Sequence, residues 1–135
     1  MSGFASFGAS AYVSVGVETG VSTSSPHALI LMLYDGALAA LRRAQGCIES
    51  GDAVGKAQAM SRATRIIDEG LRASLDHKAG GEIAGQLDAL YDYMFRRALQ
   101  AGIDNDAAAL EEIARLLDGL REAWASIEPK AQAAA

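Results

Sequence analysis

The chain has 135 residues and a formal net charge of −5, and half of its residues are hydrophobic. That length suits one domain, since domains typically run to about 100–150 residues, and the hydrophobic share excludes a disordered acidic tail. With 12 Lys+Arg against 17 Asp+Glu the chain lacks the cationic surplus of a phosphate-neutralising nucleic-acid binder, and 28 alanines against 8 aromatics lean toward helix throughout.

Residues 1–25 hold seven serines, four glycines and one charge, Glu18. Serine and glycine disfavour helix, while Tyr12, Val13, Val15, Val17 and Val21 alternate loosely. An extended segment is expected here, lying on the body as a lid or moving freely. No Lys or Arg precedes Arg42, so the basic start of a secretory signal is missing. The longest apolar run, residues 28–34, is far short of the roughly 20 residues of a membrane span. A lone cysteine, Cys47, forms no internal disulfide. Together these predict a cytoplasmic protein without direct membrane insertion.

Helix then follows helix. Ser25 caps the first and Pro26 takes its opening position, where the missing N–H costs nothing. Gly51 stops it, giving residues 26–50. Asp52 caps a second helix running to about Leu75, with Gly80-Gly81 punctuating its end. The third is expected from about Glu82 to Gly102. Asp104, Asn105 or Asp106 caps the fourth, which ends before Pro129. Apolar residues recur in steps of three and four: Ala57, Met60, Thr64, Ile67, Leu71 and Leu75; then Ile83, Leu87, Leu90, Met94 and Ala98; then Leu110, Ile113, Leu117, Leu120, Trp124 and Ile127. Such seams pack at shallow crossing angles, and short connections make neighbours antiparallel. The expected fold is all-α, an antiparallel up-down four-helix bundle over residues 26–128, with an extended N-terminal segment (1–25) and a disordered tail (129–135).

The first helix has more apolar surface than a bundle needs. Its core stripe would be Ile30, Tyr34, Ala37, Leu41, Ala44 and Ile48, yet Leu29, Leu31, Met32, Leu33 and Leu38 are apolar as well. At 100° per residue Met32 lies nearly opposite the core, beyond the stripe an ordinary surface helix carries. Either residues 1–25 cover this face permanently, or a partner takes their place.

Chemistry is scarce. His27 and His77 lie at helix ends, outside any metal-binding spacing, and read as solvated surface residues. Cys47 has no histidine at useful spacing and reads as a small buried or half-buried residue. Residues 51–57 miss the phosphate-loop pattern by one residue between the glycines and by Ala57. Asp104-Asn105-Asp106 lacks the glycine and closing Glu of a calcium loop. No catalytic residue, cofactor site or metal site is expected, and an enzyme or metal protein is the least supported class.

Several stretches together resemble the FliS family, the flagellin-specific export chaperones of bacteria. They are residues 23–37, with Leu33-Tyr34-Asp35-Gly36-Ala37; Leu75-Asp76; Gly80-Gly81-Glu82-Ile83-Ala84; Leu87; Leu90-Tyr91-Asp92-Tyr93-Met94; Asn105-Asp106; and Leu120-Arg121-Glu122-Ala123-Trp124. In order and spacing they cover roughly residues 11–127. Gln86 stands where the family usually carries Asn, and the Gly/Ser-rich start before Ala11 is longer than usual. The resemblance implies a cytosolic four-helix chaperone that binds the disordered C-terminal segment of flagellin, prevents its premature polymerisation and escorts it to the flagellar export gate protein, with no nucleotide or metal. A generic helical adaptor for another amphipathic segment is the alternative. When free, the protein is expected to be a monomer or weak homodimer.

Tyr12, Tyr34, Tyr91 and Tyr93 are candidate contact residues, since tyrosine joins a large apolar body to a polar tip; packing in lid or core is the competing role. Leu29, Leu33, Leu87, Leu90 and Met94 are contact candidates as well, although for each of them a core role is the stronger reading. Asp35, like Asp92, either fixes hydroxyls or helix ends or only solubilises the surface. Gly36, inside a helix, serves close packing or leaves room for a partner.

Overall fold

A computed structural model describes residues 25–127, all of whose regular structure is helical. Helix α1 spans Pro26–Ser50, α2 Ala53–Arg65, α3 His77–Asp104 and α4 Ala107–Ala125, with a π-helical continuation of α2 over Ile66–Arg72. They form an antiparallel up-down four-helix bundle: α1 packs on α2 and α4, α3 closes the far side against the π-helix, α2 and α4. The expected lid, Tyr12 included, and the tail beyond residue 128 lie outside the described residues.

Local chemistry sets the ends. The Ser25 hydroxyl accepts from the Ala28 N–H at 3.1 Å, and Asp52 and Asp106 cap α2 and α4 through Gly55 and Ala109. Each cap satisfies an N–H that the helix itself leaves open. Gly51 and Asn105 end α1 and α3 in left-handed backbone. The third helix starts earlier than its sequence pattern suggests. Asp76 caps a first turn from His77, and Gly81, at φ 55° and ψ −129°, interrupts it before the regular run resumes. The helix also continues past Gly102 to Asp104.

The second helix differs more. Instead of one α-helical run, it widens at Ile66 into a π-helix, with the Ala73 N–H reaching back five residues to the Asp68 carbonyl at 3.2 Å. Across this wider turn Ile67 and Leu71 are fully buried. Upstream the buried face is Gly55, Ala59, Met60, Ala63 and Thr64. Ala57, expected in the core stripe, is exposed.

The core is chiefly aliphatic. Ile30, Leu41, Ile67, Leu71, Leu110, Ile113 and Leu117 are fully buried. Among them the hydroxyls of Tyr34 on α1 and Tyr91 on α3 share a hydrogen bond of 2.7 Å. A second buried link joins the start of α1 to the end of α4. His27 Nε2 lies 3.0 Å from the Trp124 carbonyl, which can only accept, so the proton is on Nε2. Trp124 Nε1–H donates to the His27 carbonyl at 2.9 Å, and the rings stack with centroids 5.5 Å apart. His27 is therefore a buried packing residue, not the solvated one its sequence position suggests.

Candidate functional site

Two open grooves flank α2. Where α1 passes the π-helix, glycine sets the separation. A Cβ on Gly70 would stand 3.1 Å from Leu33 Cδ2, and one on Gly36 would stand 3.2 Å from Ile66 Cδ1. Gly36 thus serves close packing. Above these contacts lies an open groove of about 740 Å³, with Leu33, Ile66, Gly70 and Ala57 as its apolar lining and Gln58, Ser61, Arg62, Arg65 and Glu69 as its polar and charged lining.

A second groove, about 510 Å³, runs on the other side of α2 between Met60, Thr64, Leu99 and Ile103 and also reaches Ala57 and Ser61. The two therefore meet over a ridge of small side chains. Ile103 is 74% exposed, Leu99 46% and Met32 62%, and Val54 at the start of α2 is exposed too. Leu99 and Ile103, exposed at the margin of the second groove, make the surface beside α2 the candidate site.

Polar ties close the other seams. Arg121 Nε meets Asp35 Oδ1 at 2.5 Å, joining α4 to α1. Gln45 on α1 donates to Glu111 on α4 at 3.2 Å. Arg72 on the π-helix reaches Asp88 at 2.6 Å and Asp92 at 3.0 Å on α3; the Asp88 hydrogen bond above all raises its guanidinium pKa, with both carboxylates' charges adding. On the α3–α4 seam Glu112 accepts from the Tyr93 hydroxyl at 2.8 Å and from Arg97 at 2.6 Å. Those two bonds hold the Glu112 carboxyl below its ordinary value, and the bond to Glu112 pushes the Tyr93 phenol above its own. Between α1 and α2 with its π extension no ion pair crosses among the described residues. The apolar groove occupies that seam.

The ten candidate contact residues divide accordingly. Tyr34, Leu87, Tyr91 and Met94 are in the core, at most 3% exposed. Leu29, Leu33 and Leu90 are half-buried, and Asp35 and Tyr93 are exposed. Leu33 lies in the first groove, Asp35 faces α4 through Arg121, and Tyr93 is engaged with Glu112. Tyr12 lies outside the described residues. Asp92 fixes no hydroxyl; it binds Arg72 and Arg96. Ala57, Ser61, Ile66, Leu99 and Ile103 line the grooves but are absent from the candidates. Leu99 and Ile103, four apart and off the Leu87–Met94–Ala98 stripe, carried a readable signal: apolar residues on a face the core does not use.

No helix among the described residues is long and apolar enough to cross a membrane. The family model described as flagellar protein FliS matches residues 8–131. Among curated proteins, the flagellar secretion chaperone FliS of Salmonella typhimurium is 55% identical over 124 residues, 92% of each chain. The protein of the same name from Escherichia coli is 42% identical over 90% of this chain and 89% of its own. The flagellar secretion chaperone FliSB of Pseudomonas aeruginosa is 40% identical over 86% of this chain and 91% of its own.

Proposed function

The chain belongs to the FliS family, and from that premise we propose that it is a flagellar secretion chaperone whose client is the disordered C-terminal segment of flagellin. Bound in the cytoplasm, the segment is withheld from polymerisation and delivered to the export gate. The observation that carries the reading is the pair of apolar grooves meeting over Ala57 and Ser61, with Leu99 and Ile103 exposed at one margin. A preformed groove of this kind suits an amphipathic helix laid apolar face down. A disordered client loses several kcal/mol to its own ordering, so it needs a wide apolar surface in return. Leu29, Leu33, Leu90, Tyr93 and Asp35, all reaching the surface, and Tyr12 in the N-terminal segment are the candidates for direct contact. The four buried candidates act by shaping the bundle beneath.

Calorimetric titration with a flagellin C-terminal fragment tests the proposal. Saturable binding is expected, with a negative heat-capacity change from apolar burial, and the variant carrying Leu99→Ser and Ile103→Ser should bind more weakly with its helicity intact. Absence of binding by the wild-type chain would refute the client assignment. Repeating the titration on a chain lacking residues 1–20 separates lid from contact roles: tighter binding marks a displaced cover, weaker binding a contact.

A further inference from the structure

The first groove is lined by charged groups as well as apolar ones, Arg62, Arg65 and Glu69, and of these Arg65 and Glu69 pair with each other at 3.8 Å. Helix α2 has three cations, Lys56, Arg62 and Arg65, and no carboxylate, in a chain whose net charge is −5. Arg65, Arg72, Arg96, Arg97, Arg115 and Arg121 each have a carboxylate oxygen between 2.5 and 3.8 Å away. Arg42, Arg43 and Arg62 have no ion-pair partner among the described residues. Of these three, only Arg62 stands on the wall of the groove. Its guanidinium lies across Gly36, within 3.7 Å of where a Cβ would be, beside Ile66. A methyl there would meet the group only at ordinary van der Waals distance. Lys56, the other α2 cation without a carboxylate, is taken up by the Gly102 carbonyl and Asn105, both at 2.8 Å.

We propose that Arg62 is a specificity-determining residue that selects an acidic amphipathic segment for this groove. The inference rests on the client reading above and deepens it. The segment sets an aliphatic side chain on Leu33 and Ile66 and, about one helical turn away, a carboxylate against Arg62. A guanidinium pairs a carboxylate through two parallel N–H donors, which fixes orientation as well as charge. An apolar floor alone accepts any greasy helix; an unpaired cation at its wall discriminates against helices that are neutral or basic there.

A double-mutant cycle decides the matter. The full-length chain and its Arg62→Met variant, which keeps an unbranched apolar stem, are titrated with the flagellin C-terminal fragment. Both are then titrated with the same fragment after every Asp and Glu is changed to Asn and Gln. Circular dichroism checks the fold, and Arg115→Met on α4 serves as the control. Arg62→Met should weaken binding of the acidic fragment about tenfold, leave the neutralised fragment's affinity unchanged, and flatten the salt dependence. Arg62→Glu should weaken the acidic fragment further. An equal loss for both fragments, or no loss for either, overturns the charge-selection proposal while leaving the client assignment standing. Failure of the wild-type chain to bind the acidic fragment overturns both.

Discussion

Gly55→Ala and Gly119→Ala are the same chemical change at helical positions, and the structure gives them opposite signs. Alanine in place of glycine inside a helix is worth about 0.8–1.0 kcal/mol in backbone entropy. At Gly119 nothing lies within 4 Å of the added methyl, so the gain should appear undiminished. At Gly55 the methyl would stand 2.4 Å from Asp52 Oδ2 and 2.8 Å from Cys47 Sγ. The aspartate can only escape by leaving the Gly55 N–H that it caps at 2.9 Å. Losing such a cap costs about 1 kcal/mol, and forcing a group into packed surroundings costs about 1–3 kcal/mol more. Set against the entropy gain, Gly55→Ala should destabilise by about 1–3 kcal/mol. For a body of this size 1 kcal/mol moves Tm by about 4–8 °C. Thermal unfolding followed by circular dichroism should therefore show Gly119→Ala rising by about 4–8 °C and Gly55→Ala falling by at least that much. A Gly55→Ala protein that melts as high as Gly119→Ala would show that Asp52 and Cys47 yield freely, and the packing argument at the α1–α2 turn would be wrong.

Two further predictions concern polar links. The Glu112 carboxyl lies below its ordinary value of 4.5, held there by Tyr93 and then Arg97, and Glu111 is lowered by Gln45 and then Arg115. A depressed folded-state pKa gives stability that is complete above the unfolded value and lost as pH falls through the folded one. The urea midpoint should thus fall once pH drops below 4.5, and less steeply in Glu112→Gln; an unchanged slope would remove Glu112 from the account. His27→Ala should cost about 2 kcal/mol through the lost ring stack and carbonyl bond, with Trp124 fluorescence shifting to the red. His27→Phe, keeping the stack, should cost about half as much, and equal losses would mean that the hydrogen bond dominates.

Most of the helical frame could be read locally. Ser25, Asp52, Asp106 and Gly51 announce their roles within a few residues, and the stripes through Leu110–Leu117–Trp124 need only a 3.6-residue period. What escaped depends on contacts distant in sequence or on a change of period. The link between His27 and Trp124 spans 97 positions, and nothing beside either residue signals it. The π-helix begins inside a run, Ile66-Ile67, that reads equally well as α-helix, and separately Ala57, three residues before Met60, is expected in the core although the buried face there passes through Gly55, Ala59 and Ala63. Similarly, Leu90 stands in the expected stripe while Tyr91 beside it is fully buried, because its hydroxyl finds Tyr34. The surplus apolar arc of α1 was visible from Leu29 and Leu33. Its meeting with Gly70, which places the groove, was not.

The Tyr34–Tyr91 hydrogen bond has a consequence for how one arrangement of this bundle wins over its neighbours. Alanine-rich rods are slippery: sliding one past another by a single pitch of about 5.4 Å presents nearly the same smooth surface again. The paired phenols, fastened corner to corner through the oily centre, act as a keyed joint, because any such slip pulls the two oxygens beyond reach of each other. The bundle thus takes its mechanical definition from that joint rather than from grease alone, and its outer troughs keep a fixed alignment.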